Sequence, residues 1–160
     1  MIIGVGGRPR TGKDTAALRL VSLYGFKSKA FSELIADEFR NKHNREPTKA
    51  ECQIEGVAGR EAHGADIWLK RMIAWAAMHD NVCVPGVRFP NEIEWIQSES
   101  GLLWQILSTR NLPDDRNQNF ITERSLDYFD NWDHRFLNNT TIDSLWAAID
   151  SEMSSVAETT

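Results

Sequence analysis

The sequence predicts an α/β protein: a three-layer α/β/α arrangement on a mostly parallel sheet of about five strands. Three observations carry this. Short apolar runs alternate along the chain with segments of helical period. The first run, Met1–Gly6, is apolar on both faces, as a strand covered on both sides must be. It ends in a glycine-rich turn that opens directly into a helix.

The elements follow in order. After the turn, Asp14–Tyr24 carries Ala17, Leu18, Val21 and Leu23 at helical spacing, and Gly25 stops it. Phe26–Phe31 reads as a second strand. Ser32 is placed to cap a helix to about His43, and Thr48 with Glu51 has the capping-box spacing that starts a third. Ile67–His79 is an apolar-aromatic helix, a possible face for pairing two copies. Val82–Val87 is a strand, Pro90 opens the helix Asn91–Ser98, and Leu102–Leu107 is again a strand. Phe136–Asn138 completes the set. Ile142–Met153 is an amphipathic closing helix, and Ser154–Thr160 is expected to fray. In such sheets ligands bind at the carboxyl ends of the strands, so the turn after the first strand is where chemistry is expected.

The chain's 160 residues suit a single domain, here 1–160, with a core large enough to need no disulfide or metal staple. Apolar residues make up 41% and charged residues 26%, no apolar run reaches a membrane span, and no signal-peptide pattern opens the chain. Cys52 and Cys83 lack metal or redox spacing and read as buried thiols, and His43, His63, His79 and His134 lack zinc-ligand spacing. These features predict a cytoplasmic protein without a membrane partner. The net charge of −5 argues against a nucleic-acid partner, yet a cleft can still gather local positive charge for small anions.

Gly7-Arg8-Pro9-Arg10-Thr11-Gly12-Lys13 fits the phosphate-loop pattern G-x-x-x-x-G-K, set between an apolar strand and a helix. Glycines let the main chain curl so that its N–H groups point at phosphate oxygens, and the following helix adds its positive end. Lys13 then reaches the β- and γ-phosphates of ATP. Gly7, Arg10, Thr11, Gly12, Lys13, Asp14 and Thr15 are the expected ATP-binding residues. The usual Ser or Thr after the lysine is replaced by Asp14, with Thr15 next, and either side chain suits Mg²⁺.

From GRPRTGKDT onward the sequence resembles the phage-type deoxynucleoside monophosphate kinases, within the nucleoside monophosphate kinase-like P-loop fold. AFSELIADEF is similar to their F-A-D-P-L-K segment, with Glu33 in place of aspartate. QIEGVAGREAHGADIW brings Gly56, Arg60, Asp66 and Trp68 into register with a glycine–arginine–tryptophan segment. VRFPNEIEWI is similar to D-V-R-F-P-N-E, with Arg88, Asn91 and Glu92 in register and Gly86 at the position of the family's aspartate. The closing region aligns Thr122, Glu123, Asn138 and Leu145.

The resemblance implies an ATP- and Mg²⁺-dependent phosphotransferase that converts a dNMP to its dNDP in the cytoplasm, that of the host if the chain is phage-encoded. It implies acceptor binding by Glu33, Arg60, Asp66, Trp68, Arg88 and Glu123, on a helical segment of about 32–66. Arg60 and Arg88 suit the acceptor phosphate because a guanidinium grips phosphate in a planar fork. Glu33 would accept a hydrogen bond from the acceptor, and Lys13, Glu33 and Arg88 are the expected catalytic set; Asp37 lies one turn beyond Glu33. Arg110, Arg116 and Arg124 surround a polar stretch, about 108–124, expected to act as a lid over ATP. Trp68 is either a stacking residue or core, while Trp75, Trp95, Trp104, Trp132 and Trp146 read as packing. Two other readings stay open: a related kinase acting on a dephospho-CoA-like, phosphomevalonate-like or DNA-base acceptor, and a nucleotide-binding module without catalysis.

Overall fold

The computed structural model describes residues 1–109, 126 and 129–159. The elements are β1 (Ile2–Gly6), α1 (Lys13–Tyr24), β2 (Lys27–Ser28), α2 (Phe31–His43), α3 (Lys49–His63), α4 (Ile67–Ala76), β3 (Val82–Pro85), α5 (Pro90–Ser98), β4 (Leu102–Leu107), β5 (His134–Leu137) and α6 (Ile142–Thr159). The strands form one sheet in the order β2-β3-β1-β4-β5, every neighbouring pair parallel.

β1 is central. Its Ile3 and Val5 are fully buried and point to one face of the sheet, where α1 and α6 supply Ala16, Leu20, Leu145 and Ile149. The opposite face is covered by α2, α4 and α5 through Leu34, Ile35, Trp68, Met72, Ile93 and Ile96. The period of two in a strand explains how single strands serve both layers. On β4, Leu103 joins one cluster while Trp104 and Ile106 join the other. Gly4 lets α5 sit this close, since a Cβ there would lie 2.4 Å from Ile96 Cδ1. Such overpacking typically costs about 1–3 kcal/mol.

The closing helix is anchored along its length. The Asp150 carboxylate accepts from Arg19 Nε at 2.9 Å and from the Tyr24 hydroxyl at 3.0 Å, and Trp146 Nε1 donates to the Thr15 carbonyl at 3.1 Å. The helix continues to Thr159 where fraying is expected from sequence. Met153 is buried beyond its middle, and the hydroxyls of Ser154 and Ser155 bond back to the carbonyls of Asp150 and Ser151. Other boundaries shift modestly: β2 is only Lys27–Ser28, α4 ends at Ala76, and the last strand starts at His134. No helix among the described residues is long and apolar enough to cross a membrane.

Candidate functional site

The turn between β1 and α1 is curled. Gly7 (φ 141°), Arg10 (φ 58°) and Gly12 (φ 107°) all occupy positive φ. Glycine is required at two of these points by space as well as by conformation. A Cβ on Gly7 would lie 2.4 Å from the Ile106 carbonyl oxygen, and one on Gly12 would lie 2.4 Å from Asn138 Nδ2. Arg10 holds its positive φ without that excuse, a strain of the kind found at ligand-binding turns. Inside the loop the Thr11 hydroxyl donates to the Arg8 carbonyl at 3.0 Å, and Lys13 Nζ donates to the same oxygen at 2.6 Å. Thr11 is buried, so its side chain shapes the loop instead of facing the cleft.

The loop opens into a cleft of about 790 Å³ between the start of α1, the end of β3 and the helix pair α2–α3. Its lining carries the cations Arg10, Lys13, Lys29, Arg40, Lys49, Arg60 and Arg88 against the acids Asp14, Glu33, Asp37, Glu46 and Glu92. Cations therefore predominate locally in a chain whose net charge is −5. A cleft of this kind attracts an anion more than the whole molecule does.

The expected residues that fall within the described stretches are placed as follows. Arg10, Gly12, Lys13, Asp14 and Thr15 line the loop end of the cleft. Arg60 and Arg88 also line the cleft. Arg60 donates from Nη1 to the Gly56 carbonyl at 3.0 Å, and its guanidinium sits 4.5 Å from the centre of the Phe89 ring. Burial pulls this guanidinium below its ordinary value, Glu92 opposes the effect and Arg88 adds to it. Glu33 lines the cleft and is exposed, and its carboxylate also accepts from the Ala30 N–H, closing the first turn of its own helix. Asp37 also lines the cleft. Burial raises its carboxyl, but Lys29 at 2.9 Å and Arg40 more than offset this and hold it below the ordinary range.

Three expectations meet different surroundings. Trp68 is 2% exposed and does not line the cleft; its indole N–H donates to the Gly56 carbonyl at 2.9 Å and its ring packs on Gly59, so it joins α3 to α4 as core. Asp66 accepts from Asn91 Nδ2 at 2.7 Å and is exposed outside the lining. Cys52 is half-buried in the cleft wall, while Cys83 is fully buried, its thiol pushed up to about 12 by burial, with Asp14 adding to the rise and Ser28 opposing it. Arg110, Arg116, Thr122, Glu123 and Arg124, with most of the expected lid, lie outside the described residues.

The structure adds a group that sequence reasoning placed only in register. Glu92 is 3% exposed at the start of α5, and one of its oxygens accepts from the N–H groups of Arg88 at 2.7 Å and Phe89 at 3.1 Å. Burial pushes its carboxyl up to about 7 against the pull of those two N–H groups, Arg60 and Arg88. Lys29 and Gln53 are likewise in the lining and carry no sequence motif.

Among the described residues no group of three His, Cys, Asp or Glu side chains is gathered to hold a metal. Asp14 and Thr15 nonetheless fit Mg²⁺. They are hard oxygen donors on the first turn of α1, and Mg²⁺ in such sites takes one or two protein oxygens together with substrate phosphates and water. Gly86, just after β3, is where the resembled kinases carry an aspartate, and a Cβ there would meet nothing within 4 Å.

The fold is similar to that of several solved kinase structures. Shikimate kinase from Aquifex aeolicus vf5 superposes with a TM-score of 0.59 at 15% identity, covering 98% of both chains. Shikimate kinase from Bacteroides thetaiotaomicron gives 0.58 at 11%, covering 99% of this chain and 98% of that one. Dephospho-CoA kinase from Campylobacter jejuni gives 0.55 at 15%, covering 97% and 96%. No family model and no curated protein matches the sequence.

Proposed function

We propose that this chain is a deoxynucleoside monophosphate kinase, transferring the γ-phosphoryl of ATP to a dNMP to give dNDP and ADP. One observation carries the reading: Arg10, Gly12 and Lys13 of the glycine-bounded loop line one cleft together with the guanidinium side chains Arg60 and Arg88. Two phosphate-bearing ligands need two such sites in one cleft, and phosphoryl transfer asks the protein mainly for position and charge neutralisation.

In this mechanism the amides of residues 7–13 and the start of α1 cradle the ATP phosphates. Lys13, now folded onto the Arg8 carbonyl, turns to the β- and γ-oxygens. Arg60 and Arg88 hold the acceptor phosphate in line, so that its oxygen bonds to the γ-phosphorus as the bond to the ADP oxygen breaks. The dianionic acceptor phosphate needs no base to attack. Glu33 orients the acceptor by accepting a hydrogen bond. Asp14, close enough to β3 for its charge to act on Cys83, takes the acidic part that Gly86 leaves vacant. Bound Mg²⁺, held by Asp14 and Thr15, would supply further charge neutralisation at the phosphates.

A second reading keeps the loop and changes the acceptor. It is favoured by the names of the structural neighbours, which are kinases of shikimate and dephospho-CoA. Coupled ADP release measured across all deoxy- and ribonucleoside monophosphates, shikimate and dephospho-CoA separates the two. Acceptor-dependent release with dNMPs supports the first; release with another acceptor alone supports the second; ATP binding without any release would identify a non-catalytic module.

A further inference from the structure

Helix α3 turns one face to the cleft, made of Lys49, Cys52, Gln53, Gly56 and Arg60. Counted from Lys49 they fall at i+3, i+4, i+7 and i+11, the spacing of one helical face. Gly56 carries no side chain between Gln53 and Arg60, and it packs so tightly on α2 that a Cβ would lie 3.1 Å from Ile35 Cδ1. All three residues line the one cleft.

Gln53 has an unusual state. Its Nε2 is buried and has no hydrogen-bond partner among the described residues. Leaving such a donor unpaired costs about 1–3 kcal/mol, and buried side-chain amides in folded proteins are nearly always partnered. A carboxamide presents a donor and an acceptor side by side, in either rotation. That pair matches the adjacent acceptor and donor on the edge of a nucleobase, as amide side chains do when they read bases. About two turns of helix, roughly 10 Å of rise, separate the backbones of Gln53 and Arg60, and the Arg60 guanidinium reaches back to the Gly56 carbonyl. A nucleotide lying along α3 with its phosphate at that guanidinium brings its base toward Gln53.

We infer that Gln53 is the specificity-determining residue of the acceptor site, its carboxamide pairing with the base of a nucleotide whose phosphate rests on Arg60 and Arg88. The inference depends on the nucleotide reading given above. It also gives the unpaired amide a purpose. An acceptor with a base satisfies it on binding, as the Gln53 side chain turns its sealed Nε2 out into the cleft that the residue lines, whereas a sugar phosphate without one leaves it buried and unpaired and is rejected on that ground.

The test uses Gln53→Met, with Gln53→Leu as a second apolar variant, in kinetics against dAMP, dGMP, dCMP and dTMP alongside thermal unfolding. The acceptor KM is expected to rise about tenfold or more for the nucleotides that the wild type prefers. The preference among the four should flatten, the KM for ATP should stay in place, and Tm should be equal or higher because an unpaired polar group has gone. An unchanged preference among dNMPs that the wild type does turn over overturns the role of Gln53 and leaves the kinase reading standing. A lower Tm in both variants, with ATP and acceptor KM rising together, shows the amide to be structural and also overturns it. Failure of the wild type to turn over any nucleoside monophosphate removes the nucleotide reading, and this inference with it.

Discussion

The side-chain amide of Asn138, at the end of β5, donates from Nδ2 to the Thr11 carbonyl at 2.8 Å, across 127 positions of sequence. The contact is buried at both ends, and Asn138 is tied in turn to β4 by its own N–H, which donates to the Leu107 carbonyl at 2.7 Å. The loop of residues 7–13 is therefore held from outside. Its curl is fixed by the far edge of the sheet as well as by its own glycines, which preorganises its amides.

Replacing Asn138 by alanine should leave the Thr11 carbonyl buried without this donor, at a cost of about 1–3 kcal/mol. A protein of this size then loses roughly 2–4 °C of Tm per kcal/mol. The KM for ATP should rise more than that of the acceptor, because the loop loses its brace while the α3 wall is untouched. Thermal melts and initial rates test this; a Tm loss with both KM values unmoved would separate the brace from nucleotide binding.

Lys13→Ala should reduce phosphoryl transfer by about a hundredfold or more, the scale seen when a preorganised charge at a transition state is removed. Lys13 is only partly buried and donates to a carbonyl of its own loop, so the fold should survive. Circular dichroism and single-turnover rates distinguish the two effects. Transfer at the wild-type rate would remove the assignment of the loop.

How much of this was legible in the sequence follows the range of the contacts involved. The loop was readable because its glycine spacing is local, and β4 has the predicted limits because Leu102–Leu107 is a short apolar run bounded on both sides. The Thr48–Glu51 capping box is equally local, and both of its hydrogen bonds form. Trp68 was ambiguous because stacking and packing ask for the same indole; the docking of α4 on α3 decides it, and no single helix contains that information. Gln53 and Glu92 carried no signal as cleft groups. Glu92 sits on a helix start where carboxylates are common, and its importance comes from the burial that Arg60, Phe89 and the sheet impose together.

Arg60→Ala should act chiefly on the acceptor, raising its KM by about tenfold or more while the KM for ATP changes little, since hydrogen bonds to charged groups contribute about 1.5–3 kcal/mol. The guanidinium already rests on Phe89 and the Gly56 carbonyl, so it is pre-positioned in the cleft lining. Arg60→Lys should rescue only part of the loss, because an ammonium lacks the planar fork. A larger effect on ATP than on the acceptor would refute this placement.

Glu92 predicts a stability that depends on pH. Its folded carboxyl, pushed up to about 7 by burial, binds a proton more tightly than the ordinary carboxyl of the unfolded chain. The folded state then holds more protons than the unfolded state between the ordinary carboxylate range and pH 7, so this contribution to stability is full at acid pH and is lost as pH rises through 7. The groups facing Glu92 are Arg60 from α3, and Arg88 with the Arg88 and Phe89 N–H groups from its own segment; all favour the charged form, and burial outweighs them. The full difference amounts to about 3 kcal/mol. Glu92→Gln cannot ionise, so its stability relative to the wild type should climb between pH 5 and pH 8. Urea unfolding of both proteins at the two pH values measures this directly. Parallel curves, with the same difference at pH 5 and pH 8, would show that Glu92 titrates as an ordinary carboxylate, its charge fully balanced by the two arginines and the helix start.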